Sequence, residues 1–342
     1  MSETRSPAKA VGKPTLKTIS NLSGLAVPTV SRALNDAPDI SQETKKEVRR
    51  IASEIGYVPN RAGLRLRTGR TNVISLVLST ETDIMNHTAR LISAIAGGLR
   101  GSQFHLNITP YFPDEDALRP IQYIVETGSA DAVIFNQILP EDPRVAYLME
   151  RKFPFATHGR SVWSDDHAWF DFDNEVYGRL AVERLYRKGR RNTLMIAPPM
   201  DQNYSIEMTT GASSAASALG STLSVSKDIN SASSSFLSSA HMAELFSQKS
   251  QIDSIICAST NSAMAVVSGM ESAGLRVGEH VDIVAKEAIP FLSEFRRGIH
   301  VIQEDVLLAG DFLARAAMQA IRAPDLAPMQ RLEVPTVGGF TV

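Results

Sequence analysis

Two runs in the first seventy residues carry side chains suited to nucleic acid. Val27, Pro28, Thr29, Ser31 and Arg32 fall on the leading turns of a helix that begins near Val27. With that helix in a major groove, Arg32 takes guanine O6 and N7 bidentately, and Ser31 bonds a base edge or a phosphate. Val27 and Pro28 offer apolar contact, which suits a thymine methyl, while Thr18 and Thr29 are short donors for phosphate. Pro28 is tolerated there because N–H groups of a first turn lack intrahelical partners. The second run sets Arg61, Arg65 and Arg67 around Leu66. An exposed leucine on a polycationic segment has a use as a wedge between base steps of a minor groove, at a cost of a few kcal/mol of unstacking. Ala62 and Gly63 keep this segment slim, and Gly63 weakens its helix by about 1 kcal/mol, so it is expected to fold only on DNA. The bland counterparts are a solvated helix face with one arginine, and a basic linker.

Positioning these side chains takes three helices. Apolar residues recur at helical spacing as Leu16, Ile19 and Leu22, then Val30 and Leu34, then Val48, Ile51 and Ile55. Gly24 separates the first two helices, and Asn35-Asp36-Ala37-Pro38 the second from the third. Ser41 suits the N-cap of the third helix, with Glu43 in its first turn, and Gly56 closes it. Residues 1–14, polar and with two prolines, read as a disordered leader; 15–59 as a small all-α helix-turn-helix head; 60–70 as a hinge helix or linker.

After Thr71 the texture changes to apolar strand-like runs alternating with helix-like segments. The strands read as Val73–Leu78, Leu106–Thr109, Ala132–Phe135, Phe153–Ala156, Leu194–Ala197, Ser254–Ala258, Val281–Ala285 and His300–Gln303. This rhythm predicts parallel sheets covered by helices on both faces. Roughly 270 residues exceed one such sheet, so an α/β body of two lobes is expected: 71–171 plus 304–330, and 172–303 plus 331–342. Asp171-Phe172-Asp173-Asn174 is the expected first crossing between them. The serine-rich stretch 221–239 reads as a strand edge and loop of the second lobe.

Composition narrows the function. The 342 residues net −2, but residues 1–72 hold 13 basic and 6 acidic side chains, net +7, and the remainder nets −9. A basic head on an acidic body confines contact with a polyanion to the head. The single cysteine, Cys257, excludes an internal disulfide framework and fits a reducing cytoplasm; its apolar neighbours mark it as a buried strand thiol. There is no run long enough to span a membrane and no secretory h-region. HExxH, G-x-S-x-G, a Walker loop and Cys/His pairs at metal spacing are all absent, so neither a metal nor a cofactor is expected. Asp165-Asp166-His167 reads as a solvated turn rather than a metal site. The competing class is a sugar-processing or other α/β enzyme carrying an appended basic domain.

Three motifs, Thr29-Val30-Ser31-Arg32-Ala33-Leu34-Asn35, Gly56-Tyr57-Val58-Pro59-Asn60 and Leu66-Arg67-Thr68-Gly69-Arg70, resemble the lactose-repressor (LacI/GalR) family of bacterial transcription regulators. The βα rhythm extends that resemblance over almost the whole chain. It implies a homodimer reading a pseudo-palindromic operator on double-stranded DNA, with paired hinge helices inserting Leu66 and its mate at the central step. The expected DNA-contacting set is Thr18, Val27, Pro28, Thr29, Ser31, Arg32, Asn35, Asn60, Arg61, Ala62, Arg65 and Leu66. Leu64 stands where many relatives have arginine.

The resemblance also implies a periplasmic-binding-protein-like body with a small-molecule effector, sugar or sugar derivative, between the lobes. Candidate contacts are Asn86, His87, Arg160, Tyr204, Thr260, Glu287 and Gln303. Thr260 and Glu287 directly follow apolar strands, where open α/β sheets place ligand groups. Met208, Ser259-Thr260 and Lys286-Glu287 replace the arginine, the Asn-Asp pair and the aspartate usual in the family, which removes some bidentate hydroxyl clamps. Trp163, Trp169, Phe170 and Phe172 form an aromatic cluster open to two readings, stacking on a ligand ring or packing between lobes.

Overall fold

Thr15 starts the first helix with a reciprocal capping box: its hydroxyl accepts from the Thr18 N–H, and Thr18 Oγ1 accepts from the Thr15 N–H at 3.1 Å. Helix α1 (Leu16–Ser23) ends at Gly24, whose φ of +68° is a left-handed conformation that glycine adopts without a Cβ penalty. Helix α2 (Val27–Leu34) carries Pro28 in its first turn, and α3 (Gln42–Glu54) is capped by Ser41, which accepts from the Thr44 N–H at 3.2 Å. Ile19, Val30, Ala33, Val48, Ile51 and Ala52 form the buried core of this unit. Each large aliphatic contributes about 1.5–3 kcal/mol. Lys45, almost fully buried, supports the turn between α2 and α3: its Nζ lies 3.3 Å from the Asp36 carbonyl and 3.4 Å from the Asp36 carboxylate.

These features come from a computed structural model, which describes residues 13–58, 69–80, 87–248 and 250–341. The leader up to residue 12 and the greater part of the expected hinge, with Asn60, Arg61, Ala62, Arg65 and Leu66, lie outside the described residues, as does Asn86. Residues up to Thr71 and residues from Asn72 onward form separate compact units.

The larger unit holds two six-stranded sheets. In the first lobe β1 (Val73–Ser79), β2 (His105–Tyr111), β3 (Ala132–Phe135), β4 (Phe155–His158) and β5 (Ala168–Phe172) are joined by β11 (Gln330–Glu333) in the order β11-β5-β4-β3-β1-β2, all parallel. Three helices of this lobe are α4 (Ala89–Gly98), α5 (Leu118–Thr127) and α6 (Pro143–Glu150). The chain crosses after β5 into α7 (Asn174–Arg187). The second lobe orders β6 (Asn192–Ile196), β7 (Thr222–Val225), β8 (Ser254–Cys257), β9 (Asp282–Glu287), β10 (Ile299–Gln303) and β12 (Phe340–Thr341) as β12-β10-β9-β8-β6-β7. Here α8 (Asn203–Leu219), α9 (Ser235–Ser247), α10 (Thr260–Ser272) and the short α11 (Leu292–Phe295) pack on the sheet. Helix α12 (Val306–Arg322) returns to the first lobe, where Ala309, Leu313 and Ala317 join the core around Ile74, Leu76 and Phe170.

Three expectations change. Residues 331–333 belong to the first lobe, because β11 pairs in parallel with β5, and the second lobe is regained only at β12, antiparallel to β10. The serine-rich stretch holds the expected edge strand, β7, but its far end is helix and not loop: it runs into the first five residues of α9, with Ser234 capping α9 by accepting from the Leu237 N–H at 3.2 Å. The aromatic cluster makes no ligand platform: Phe170 is buried in the first-lobe core, Phe172 in the second, and Trp163 packs on a third cluster around Phe135.

Helices α7 and α8 meet through two glycines. A Cβ on Gly178 would stand 2.1 Å from the Met208 carbonyl oxygen, and one on Gly211 would stand 1.9 Å from that of Glu175. Their backbones can touch only without side chains at those two positions, and that contact sets α8 where Tyr204 and Glu207 face the first lobe. No described helix is long and apolar enough to cross a membrane. Burial pushes the Cys257 thiol up to about 12, so it is an inert core group.

Candidate functional site: a polar cleft and a helix-turn-helix face

In both sheets the strand order reverses direction beside the first strand, between β1 and β3 and again between β6 and β8. Loops leaving such points diverge and open a crevice at the carboxyl ends of the strands. A cavity of about 200 Å³ occupies this place between the lobes. That is ample for a small polar ligand, since a single water needs only about 10–15 Å³ of such space. Most lining residues sit at or just past a strand end: Ser79 on β1, Asn136 and Gln137 after β3, His158 on β4, Asp171 on β5, Ser259 and Thr260 after β8, Lys286 and Glu287 on β9, and Glu304 after β10. Tyr204, Asn174 and Asn261 complete much of the polar wall.

The charged groups are tied together. Lys286 Nζ lies 3.0 Å from Glu304 Oε2 and 3.1 Å from Asn174 Oδ1, and it sits over the rings of Phe172 and Tyr204. Burial alone would raise the Glu304 carboxyl, yet the Lys286 charge and the bonds with His158 and His87 hold it well below the usual carboxylate range. His158 and His87 approach Glu304 Oε1 at 3.4 and 3.5 Å, and their rings stack with centroids 5.4 Å apart. Glu287 is 2% exposed. Its Oε2 accepts from the N–H groups of Phe291 at 3.2 Å and Leu292 at 2.9 Å, closing the turn into α11. Its other oxygen, Oε1, has no hydrogen-bond partner among the described residues. A buried acceptor left in that state is costly, and a ligand hydroxyl would relieve it.

Of the expected effector contacts, His87, Tyr204, Thr260 and Glu287 line the cavity. Arg160 stands behind the wall: its Nε donates to Asp171 and its Nη2 to Glu207, both at 2.9 Å, and the guanidinium lies over Trp169. Gln303 is exposed at the end of β10, while its buried neighbour Glu304 faces the cavity; alternation along the strand separates the two. Asn136, Gln137, His158, Asp171, Asn174, Lys286 and Glu304 escaped the sequence reading. The strand-end rule that picked Thr260 and Glu287 would have found all except Asn174, had it been applied to every strand.

On the head, Val27 is 37% exposed at the start of α2, a poor place for a valine unless it meets a surface. Arg32 is exposed and ion-paired with Asp39. Asn35 caps the C-terminal end of α2, with its side-chain amide donating to the Ser31 carbonyl. Thr29 lies in the first turn of the same helix, beside Pro28, and Thr18 spends its hydroxyl on the α1 capping box.

A three-helix head whose second helix carries exposed Val27, Pro28 and Arg32, together with a two-lobed body enclosing a polar cleft, defines a ligand-responsive DNA-binding regulator. Residues 15–60 match the family model described as bacterial regulatory proteins, lacI family, and residues 182–339 match the periplasmic binding protein-like domain. The chain thus carries a lacI-type DNA-binding head on a periplasmic-binding-protein-like body, the domain pair of a transcriptional regulator.

Among its relatives, the HTH-type transcriptional regulator AglR of Rhizobium meliloti (strain 1021) is 28% identical over 323 residues, covering 93% of this chain and 90% of the relative. CelR of Thermobifida fusca is 28% identical over 329 residues, covering 93% and 95%. Among solved structures, the lac repressor dimer bound to operator and the anti-inducer ONPF superposes with a TM-score of 0.82 at 17% identity, covering 96% of this chain and 98% of that one. A CelR–cellobiose complex gives 0.68 at 23%, covering 96% and 99%.

Proposed function

We propose that this regulator is a repressor whose operator affinity is set by a small hydroxylated effector, a sugar or sugar derivative, bound in the interlobe cleft. The observation that carries this reading is the buried Glu287 Oε1, unpartnered among the described residues, in a wall rich in amides, carboxylates and hydroxyls, with Tyr204, Lys286 and two histidines. Such a wall exchanges hydrogen bonds with many hydroxyls and offers a ring face for stacking. The cellobiose in the CelR structure supports the sugar class.

The chain acts as a cytoplasmic homodimer and by binding, without catalysis. Its recognition helices read half-sites through Val27, Pro28, Ser31 and Arg32, and Thr18, Thr29, Asn35, Asn60 and the hinge arginines hold phosphates. Leu66 wedges the central step. Effector binding shifts the equilibrium between two lobe arrangements, and that shift decides whether the paired hinges engage DNA. The test is salt-dependent operator binding, with and without sugars, sugar phosphates and sugar acids first ranked by thermal shift. Release of a specific complex by a stabilising sugar supports the proposal. Operator binding insensitive to every stabilising ligand refutes it.

A further inference from the structure

The stacked pair His87 and His158 presents two ring nitrogens to one carboxylate oxygen at the long edge of hydrogen-bonding range. N–H···O bonds cluster at about 2.7–3.2 Å. The His158 and His87 Nε2 atoms stand 3.4 and 3.5 Å from Glu304 Oε1, beyond that range on both sides. Around a tetrahedral zinc ion with ligand bonds of about 2.0–2.2 Å, neighbouring ligand atoms lie about 3.3–3.5 Å apart. The three ligand atoms all fall within 4.8 Å of one another, so they define one face of a coordination polyhedron.

We propose that His87, His158 and Glu304 form a binding site for a divalent transition-metal ion of the zinc type, facing the cleft.

The chemistry of the donors agrees. Two imidazoles and one carboxylate are borderline ligands that select zinc-like ions over magnesium or calcium. Glu304 ligates through one oxygen only, because Lys286 Nζ holds the other at 3.0 Å, and Asn174 in turn holds Lys286. Such outer partners orient the carboxylate that binds the ion. His158 and Glu304 are 7% and 6% exposed at the side chain, but His87 is 29% exposed, which gives the ion an entry side. Three protein ligands leave a fourth position toward the cavity, where a water or a ligand oxygen completes the shell. The ligands sit 71 and 146 residues apart in the chain, so no motif spacing announces them.

The test uses the full chain stripped of metal with a chelator and titrated calorimetrically with Zn2+, and separately with Co2+ while its visible spectrum is recorded. The expected result is one ion per chain, the intense visible bands of tetrahedral Co2+, and a Zn2+-dependent rise in melting temperature. His87→Ala and His158→Ala should each weaken binding by about tenfold or more. His280→Ala, on an exposed turn of the second lobe, should leave it unchanged. Absence of stoichiometric binding overturns the proposal, and so does binding that survives both cleft substitutions. Should His158→Ala fail to fold, the half-exposed His87 decides the matter alone. The metal ion itself is the probe, so the outcome is independent of which sugar the cleft accepts.

Discussion

Arg160 Nη2 and Glu207 Oε1 meet at 2.9 Å, joining the loop after β4 in the first lobe to helix α8 in the second. The same guanidinium donates through Nε to Asp171 at the interlobe crossing. One side chain thus links both lobes to the hinge between them, immediately behind the cavity wall. At 26% and 18% side-chain exposure, the Arg160–Glu207 pair is screened less than a surface ion pair. A double-mutant cycle with Arg160→Ala and Glu207→Gln, read by denaturant unfolding, should therefore give a coupling of about 1 kcal/mol. Arg160→Ala should be the more damaging single change, since it leaves the buried Asp171 without its cation. Additivity of the two substitutions would mean the lobes do not communicate through this contact.

The pH dependence of that link follows from Asp171. Burial, then the Glu207 charge, push its carboxyl up to about 6, against the pull of Arg160. A carboxyl raised on folding takes up protons in the folded state, so its stabilising contribution is full below the ordinary value near 3.8 and is lost as pH rises through about 6. Asp171→Asn has no such titration. Between about pH 5 and about pH 7.5, the unaltered protein should lose about 1–1.5 kcal/mol relative to the variant. Glu207 is raised as well, mainly by burial, but it titrates in both proteins and so largely cancels from the comparison. Parallel stability–pH curves for the two proteins would contradict the assignment.

Arg32 must exchange partners to read DNA. In the described structure it is paired with Asp39, a carboxylate near the start of α3, and both side chains are exposed. An exposed pair is worth little, so exchange for a guanine edge is readily favourable. Arg32→Ala should flatten discrimination at one base pair of each half-site by about 1–3 kcal/mol. Asp39→Asn should raise affinity for specific and non-specific DNA alike by removing a nearby negative charge. Binding to a panel of single-base operator variants separates these outcomes. Unchanged base preference after Arg32→Ala would remove it from the reading set.

The contrast between the two units shows where sequence reading succeeds. Periodicity located α1, α2 and α3 because Ile19, Val30 and Val48 must all meet in one small core, and Gly24, Ser41 and Gly56 mark the ends by local backbone chemistry alone. Strands such as β3 and β8 were legible because burial on both faces demands continuous apolar runs, Ala132–Phe135 and Ser254–Cys257. One edge strand escaped: β11 is half-exposed and polar, and it becomes a strand only because β5 is there to pair with it. The cleft escaped in part for a similar reason. Glu304 and His158 acquire meaning only when strand ends 146 residues apart in the chain converge, whereas Glu287 stood out as an acid closing an apolar run.

Glu287 yields the most discriminating test of the cleft. Its Oε2 already serves the Phe291 and Leu292 amides, so only Oε1 is available to a ligand. Glu287→Gln keeps an acceptor oxygen for the two backbone donors and replaces the other oxygen with an NH2 that cannot accept. The turn into α11 should survive, and the melting temperature of the free protein should move little. Hydrogen bonds to charged groups are worth about 1.5–3 kcal/mol, so affinity for a hydroxylated effector should fall by about tenfold to a hundredfold in a calorimetric titration. Operator affinity without effector should not change, because Glu287 belongs to the body and the DNA-reading helix to a separate compact unit. Were effector affinity untouched while the melting temperature dropped, Glu287 would be a turn-closing residue only.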